Sequence, residues 1–162
     1  MIQRIQTLFL LAVAGCMGAY LFLPIFLKVS EDGIQKMTLD SFGLYTWTAN
    51  SDGSWDLLTH QYPYYIAIPA VISILVVFYS IFQYKNRLLQ IKLGALIALL
   101  IMLAVGTAVF ILLKNEMNFN PGVKGDYQIG FFIPLAALIF NSLANRFIRR
   151  DEKLVKSVDR IR

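Results

Sequence analysis

The chain has 162 residues, 57% of them hydrophobic and 15% charged, with a net charge of +5 and a mean hydropathy of +0.61. Soluble domains run at roughly 45–50% apolar and about 25% charged, so the excess apolar content has no place in a soluble fold of this size and the composition indicates a membrane protein. One cysteine excludes an intramolecular disulfide and Cys-X-X-Cys chemistry, and one histidine excludes most histidine-based metal sites.

The first apolar run, residues 7–27, "TLFLLAVAGCMGAYLFLPIFL", contains no charge. Within it Val13-Ala14-Gly15-Cys16 matches a lipobox, where a signal peptide is cut and the cysteine is lipidated. A lipidated cysteine normally opens a polar tether, whereas here "MGAYLFLPIFL" follows and stays apolar to Leu27. The reading adopted is a membrane helix, with Ala12, Gly15 and Ala19 on one face, and Ala14 and Gly18 on another, as small residues that permit close helix approach.

The outer loop that follows, residues 28–61, is too long for a mere connection. "LYTWT", "ANSDGS" and "WDLLTH" read as a β-hairpin whose arms are aromatic and β-branched and whose turn is Asn50-Ser51-Asp52-Gly53. Met37 and Leu39, then Phe42 and Leu44, slip phase near Ser41, which predicts a bulge there. Trp47 and Trp55 are expected to pack within the protein, with an outer partner surface as the other use of the same rings.

Three further runs, residues 62–84, 93–113 and 127–145, are apolar nearly throughout. A bilayer core of about 30 Å needs about 20 such residues, and only a helix satisfies its own backbone there. The inner loop "KNRLLQIK" makes the second and third helices antiparallel neighbours, and "KNEMNFNPGVKGD" is a turn-rich outer crossing. Pro69 and Pro134 are positioned to kink helices two and four. Ala95, Ala98, Met102 and Gly106 give helix three a small-residue face suited to a tight bundle or a homodimer. Asn141, Ser142 and Asn145 are the most polar cluster near membrane depth, and Asn141 is expected to hydrogen-bond to another helix. The tail "RFIRRDEKLVKSVDRIR" is basic and amphipathic; it either continues helix four or lies on the inner leaflet. Its Arg146, Arg149, Arg150, Lys153, Lys156 and Arg160 are the candidate contacts for anionic lipid or for a cytoplasmic partner. Nucleic acid is not an expected partner, because acidic residues interrupt the basic run and no recognised fold presents it.

Lysine and arginine set the orientation: eleven fall on the side holding both termini and the 85–92 loop, and four on the other. Both termini are therefore expected in the cytoplasm. None of the four runs carries an ionisable group away from its ends, which argues against proton coupling. His60 lies outside the membrane and, as a lone residue, reads as an interfacial side chain; a lipid-directed enzyme using His60 and Asp56 is a distant alternative. No catalytic group, cofactor or metal site is expected.

The opening "MIQRIQTLFLL" and the closing "RRDEKLVKSVDRIR" resemble a family of small four-span inner-membrane proteins of Bacteroidota, domain-of-unknown-function family four-two-nine-three. The resemblance implies an inner-membrane location and no assigned activity. "GLYTW" also resembles the first outer loop of claudin-type tetraspans, whose paired cysteines are missing here. The expected fold is an all-α membrane protein. It is a four-transmembrane-helix bundle (helices about 7–27, 62–84, 93–113 and 127–148) with a small extracytoplasmic β-hairpin between helices one and two and a basic amphipathic C-terminal helix. The expected function is a non-enzymatic accessory or scaffold subunit of an inner-membrane complex, with a membrane-protein partner or a second copy of itself. The alternative is a small oligomeric transporter or channel for a neutral or lipophilic solute.

Overall fold

The computed structural model describes residues 2–62, 64–84, 86–115, 118–119 and 122–159, with side chains described between residues 5 and 154. Among these residues the helices are α1 (Ile2–Phe22), α2 (Ala67–Phe82), α3 (Arg87–Asn115) and α4 (Ile129–Asp159). The strands are β1 (Phe26–Val29), β2 (Gln35–Asp40), β3 (Gly43–Ala49), β4 (Trp55–Gln61) and β5 (Asp126–Tyr127). The all-α expectation is overturned. The strands form one five-stranded antiparallel sheet in the order β4-β3-β2-β1-β5, where a single hairpin was expected.

The first apolar run is longer than the helix it contains. Leu23 N–H still reaches the Ala19 carbonyl at 3.1 Å, but Pro24 has no N–H with which to continue α1. The chain then turns into β1: Ile25 N–H donates to the Leu39 carbonyl at 2.8 Å, and Ile25 and Phe26 are fully buried. The apolar residues at 25–27 thus serve a buried strand, which hydropathy alone does not distinguish from helix. On the other side of β1, Phe26 pairs with Tyr127 and Leu27 with Asp126, so the short β5 joins a sheet otherwise drawn from between α1 and α2.

The phase slip near Ser41 is a hairpin turn and not a bulge. Asp40 pairs with Gly43, leaving Ser41 and Phe42 as the two-residue link between β2 and β3. The Asp40 carboxylate accepts the Phe42 and Gly43 amides at 2.8 and 3.0 Å, and the Ser41 hydroxyl donates to the Tyr20 carbonyl at 2.8 Å. That last bond ties the hairpin to the end of α1. The bulge lies instead between Thr46 and Trp47 on β3. The expected β3–β4 hairpin is present, and its turn is closed by Asn50 N–H to the Ser54 carbonyl at 2.9 Å.

Burial pushes the Asp40 carboxyl above its ordinary value, against the opposing pull of the Phe42 and Gly43 amides and of His60. The folded chain therefore holds this proton more tightly than the unfolded one. Asp40 penalises folding above the raised value, and the penalty disappears as pH falls to the ordinary carboxylate range near about 4. Asp40→Asn is expected to keep the turn and flatten this slope, whereas Asp40→Ala is expected to lose about 1–2 kcal/mol at neutral pH with the two amide bonds. Denaturation of both variants and the parent across a pH series checks the two outcomes.

Around the helix ring, α1 packs mainly on α2 and α4, and α3 on α2 and α4. A single core runs from Leu10, Val13 and Met17 of α1, through Ile97, Ile101 and Ala104 of α3, to Met37, Leu39 and Leu44 of the sheet. The sheet therefore covers one end of the helices. The Ile5–Phe22, Arg87–Asn115 and Ile129–Leu154 segments are long and apolar enough to cross a membrane, while Ala67–Phe82 is apolar but only 16 residues long. The expected boundaries shift accordingly. Helix two starts five residues later than expected, at Ala67, with Pro69 in its first turn, where a proline is tolerated. Helix three starts at Arg87, where the Asn86 side chain accepts the Leu89 amide at 3.2 Å as an N-cap. Helix four runs without interruption through the basic tail to Asp159.

Most of the expected small-residue positions point away from the core, but Ala14 of α1 is buried in it. Nothing approaches within 4 Å of a Cβ built on Gly15, Gly18 or Gly106, and Met102 is 64% exposed. The faces that do pack are larger, led by Val13, Met17 and Tyr20 on α1.

Candidate functional site

Asn141 and Asn145 lie one turn apart on α4 and both face α3. Asn141 is buried, and its amide nitrogen donates to the Gly94 carbonyl at 2.9 Å. This is the interhelical contact expected of it. The Asn145 amide fills the space in which a Cβ on residue 94 would stand, so glycine lets the two helices meet at this level. The Asn141 Oδ1 is buried with no hydrogen-bond partner among the described residues.

An open groove of about 760 Å³ runs beside this crossing. Gly94, Ala95 and Ala98 form its α3 wall, and Asn141, Ser142 and Asn145 form its α4 wall. Ile91 and Leu138 complete the apolar part, and Arg146, Arg149, Arg150 and Lys153 line the mouth. The sequence offered the amide cluster and the basic cluster as separate sites; the structure joins them in one groove. The Lys156 side chain and Arg160 lie outside the described residues. Gly94 was not singled out by sequence reasoning. Its signal was the Gly94–Ala98 pair, a small-xxx-small spacing opposite two asparagines.

Asp151, the nearest acid in sequence to Arg150, is bound to Arg87 by an ion pair of 3.1 Å and through its carbonyl at 3.1 Å. Among the described residues no carboxylate pairs with Arg146, Arg149, Arg150 or Lys153. Three guanidiniums and an ammonium thus lie beside an amide–hydroxyl shelf and an apolar wall. The Arg87–Asp151 pair is partly exposed, so Arg87→Gln is expected to lower stability by about 1 kcal/mol or less, and by still less in high salt. Melting curves at two ionic strengths test this.

The other candidates are held elsewhere. The His60 ring stacks on Tyr45 at 4.4 Å, and its Nε2 lies 3.2 Å from the Phe42 carbonyl. Asp56 is engaged with the Asn50 amide at 2.8 Å, so the structure does not bring His60 and Asp56 together as a pair. Trp47 donates to the Thr38 hydroxyl at 3.0 Å and lies against Tyr45. Trp55 is 41% exposed on the edge strand β4, with the Lys36 ammonium 5.7 Å from its ring centre. The two tryptophans thus separate: Trp47 packs within the sheet and Trp55 is open. Among the described residues no group of three or more His, Cys, Asp or Glu side chains is placed to hold a metal ion.

A family model described as "Domain of unknown function (DUF4293)" matches residues 2–161. No curated protein matches the chain.

Proposed function

We propose, from the premise that the chain belongs to the DUF4293 family, that it is an integral protein of the bacterial inner membrane. It acts there as a non-enzymatic accessory or scaffold subunit. All four helices cross, both termini are cytoplasmic, and the sheet stands on the outer side. Supporting this orientation, the basic ends of α3 and α4 are joined by Arg87 and Asp151 and the start of α1 reaches α4 through the stacked Phe9 and Phe147 rings, while the sheet covers the other end.

The observation that carries the accessory reading is β4. All seven of its residues, Trp55–Gln61, are exposed, with Leu57 and Leu58 50% and 60% open. An unprotected apolar edge strand is a template for a partner strand. A photo-crosslinking residue placed at Leu57 or Leu58 in the native host is expected to give one dominant adduct, and the same residue placed at Ser51 is expected to give none. Uniform weak labelling at all three positions would contradict the reading.

The second reading, a small oligomeric transporter for a neutral or lipophilic solute, is favoured by the Asn141 groove. Asn141→Leu separates the two. Loss of one interhelical bond is expected to cost about 1 kcal/mol, leaving insertion and the β4 adduct intact under the accessory reading. Loss of solute flux at unchanged insertion would favour transport.

A further inference from the structure

We infer that the groove between α3 and α4 holds one anionic phospholipid of the inner leaflet, which deepens the membrane reading above and rests on it. The phosphate sits among Arg146, Arg149, Arg150 and Lys153, and one acyl chain lies along Ala95 and Ala98. Several observations converge on this ligand. The cations at the mouth have no carboxylate partner among the described residues, and the neighbouring Asp151 is paired with Arg87. Ala95 is exposed and Ala98 half-buried, so the apolar wall opens sideways, as entry from a bilayer requires. The volume of about 760 Å³ accommodates a headgroup with the upper part of a chain. Asn141 lines the same groove at 2% exposure, and its Oδ1 has no partner among the described residues. A buried acceptor left without a donor is unfavourable, and a headgroup hydroxyl, or a water carried in with it, supplies one. A soluble anion would use the cations and leave the apolar wall bare.

The test uses the full chain in a neutral detergent and native mass spectrometry. Phosphatidylglycerol and phosphatidylcholine with identical chains are the probes. One phosphatidylglycerol is expected to be retained roughly ten-fold more tightly than phosphatidylcholine. Arg146→Gln with Arg150→Gln is expected to remove that preference. Ala95→Leu and, independently, Ser142→Phe add bulk to the groove without removing charge, and each is expected to weaken retention comparably. Lys36→Gln in the sheet is expected to change nothing. Tryptophan fluorescence of Trp47 and Trp55 verifies that each variant folds.

Equal retention of the two lipids overturns the proposal. So does full retention in both groove-filling variants, which would leave only diffuse surface attraction, and so does displacement by inorganic phosphate alone, which would make the site an ion site. The membrane reading is checked separately by alkaline washing of membranes. A chain that is washed out overturns that reading, whereas a chain that stays but shows no lipid preference overturns only the lipid site.

Discussion

Phe26→Ala is expected to destabilise the protein by about 3–5 kcal/mol. Phe26 is fully buried, pairs with Leu39 on one side and Tyr127 on the other, and meets the Tyr127 ring edge-on at 5.4 Å. Its ring also fills the space beside Gly125, where a Cβ would collide with it. Removing the ring leaves a cavity where the sheet, α1 and the start of α4 converge. Both tryptophans of the chain lie in the sheet, so their fluorescence during chemical denaturation reports its loss directly. Phe22, 81% exposed at the end of α1, provides the contrast: Phe22→Ala is expected to change stability by about 0.5 kcal/mol or less. Equal effects of the two substitutions would mean that β1 is not buried as described.

Gly130→Ala has the next largest expected effect. Gly130 opens α4 and donates its N–H to the Pro24 carbonyl at 3.1 Å. A Cβ there would run into the backbone carbonyls of Leu23 and Pro24, which cannot rotate away as a side chain would. Overpacking of about 1–3 kcal/mol, together with about 1 kcal/mol for the hydrogen bond, gives a loss of about 2–4 kcal/mol. Gly15→Ala, with nothing within 4 Å of its Cβ, is expected to be neutral or slightly stabilising, since alanine is the better helix former. Thermal melts of the two variants in the same detergent compare them directly.

The helices were legible because hydropathy over some twenty residues is a strong signal. The sheet was legible only where its turns announced themselves, at Asn50-Ser51-Asp52-Gly53. β1 was hidden because Phe26-Leu27 continues an apolar run, and only Pro24 marks the end of the helix. β5 was hidden because a two-residue strand, Asp126–Tyr127, has no period to read; its pairing is dictated by the partner it meets across the sheet. Those two strands, with β2 set apart from β3 by the Ser41-Phe42 turn, turn a loop hairpin into a five-stranded layer and so change the fold class. At the groove, Asn141 and its basic neighbours were legible by type and spacing. That they share one cavity depends on Gly94 allowing α3 to come close to Asn145, a tertiary fact that no single helix carries.

In the proposed orientation the sheet and the basic groove lie on opposite sides of a membrane. In a Cys16→Ala background, Ser51→Cys in the β3–β4 turn and Lys153→Cys at the groove mouth can each be probed in spheroplasts with a membrane-impermeant maleimide. Position 51 is expected to be labelled in intact spheroplasts and position 153 only after permeabilisation. Labelling of both positions before permeabilisation, or the reverse order, would contradict it.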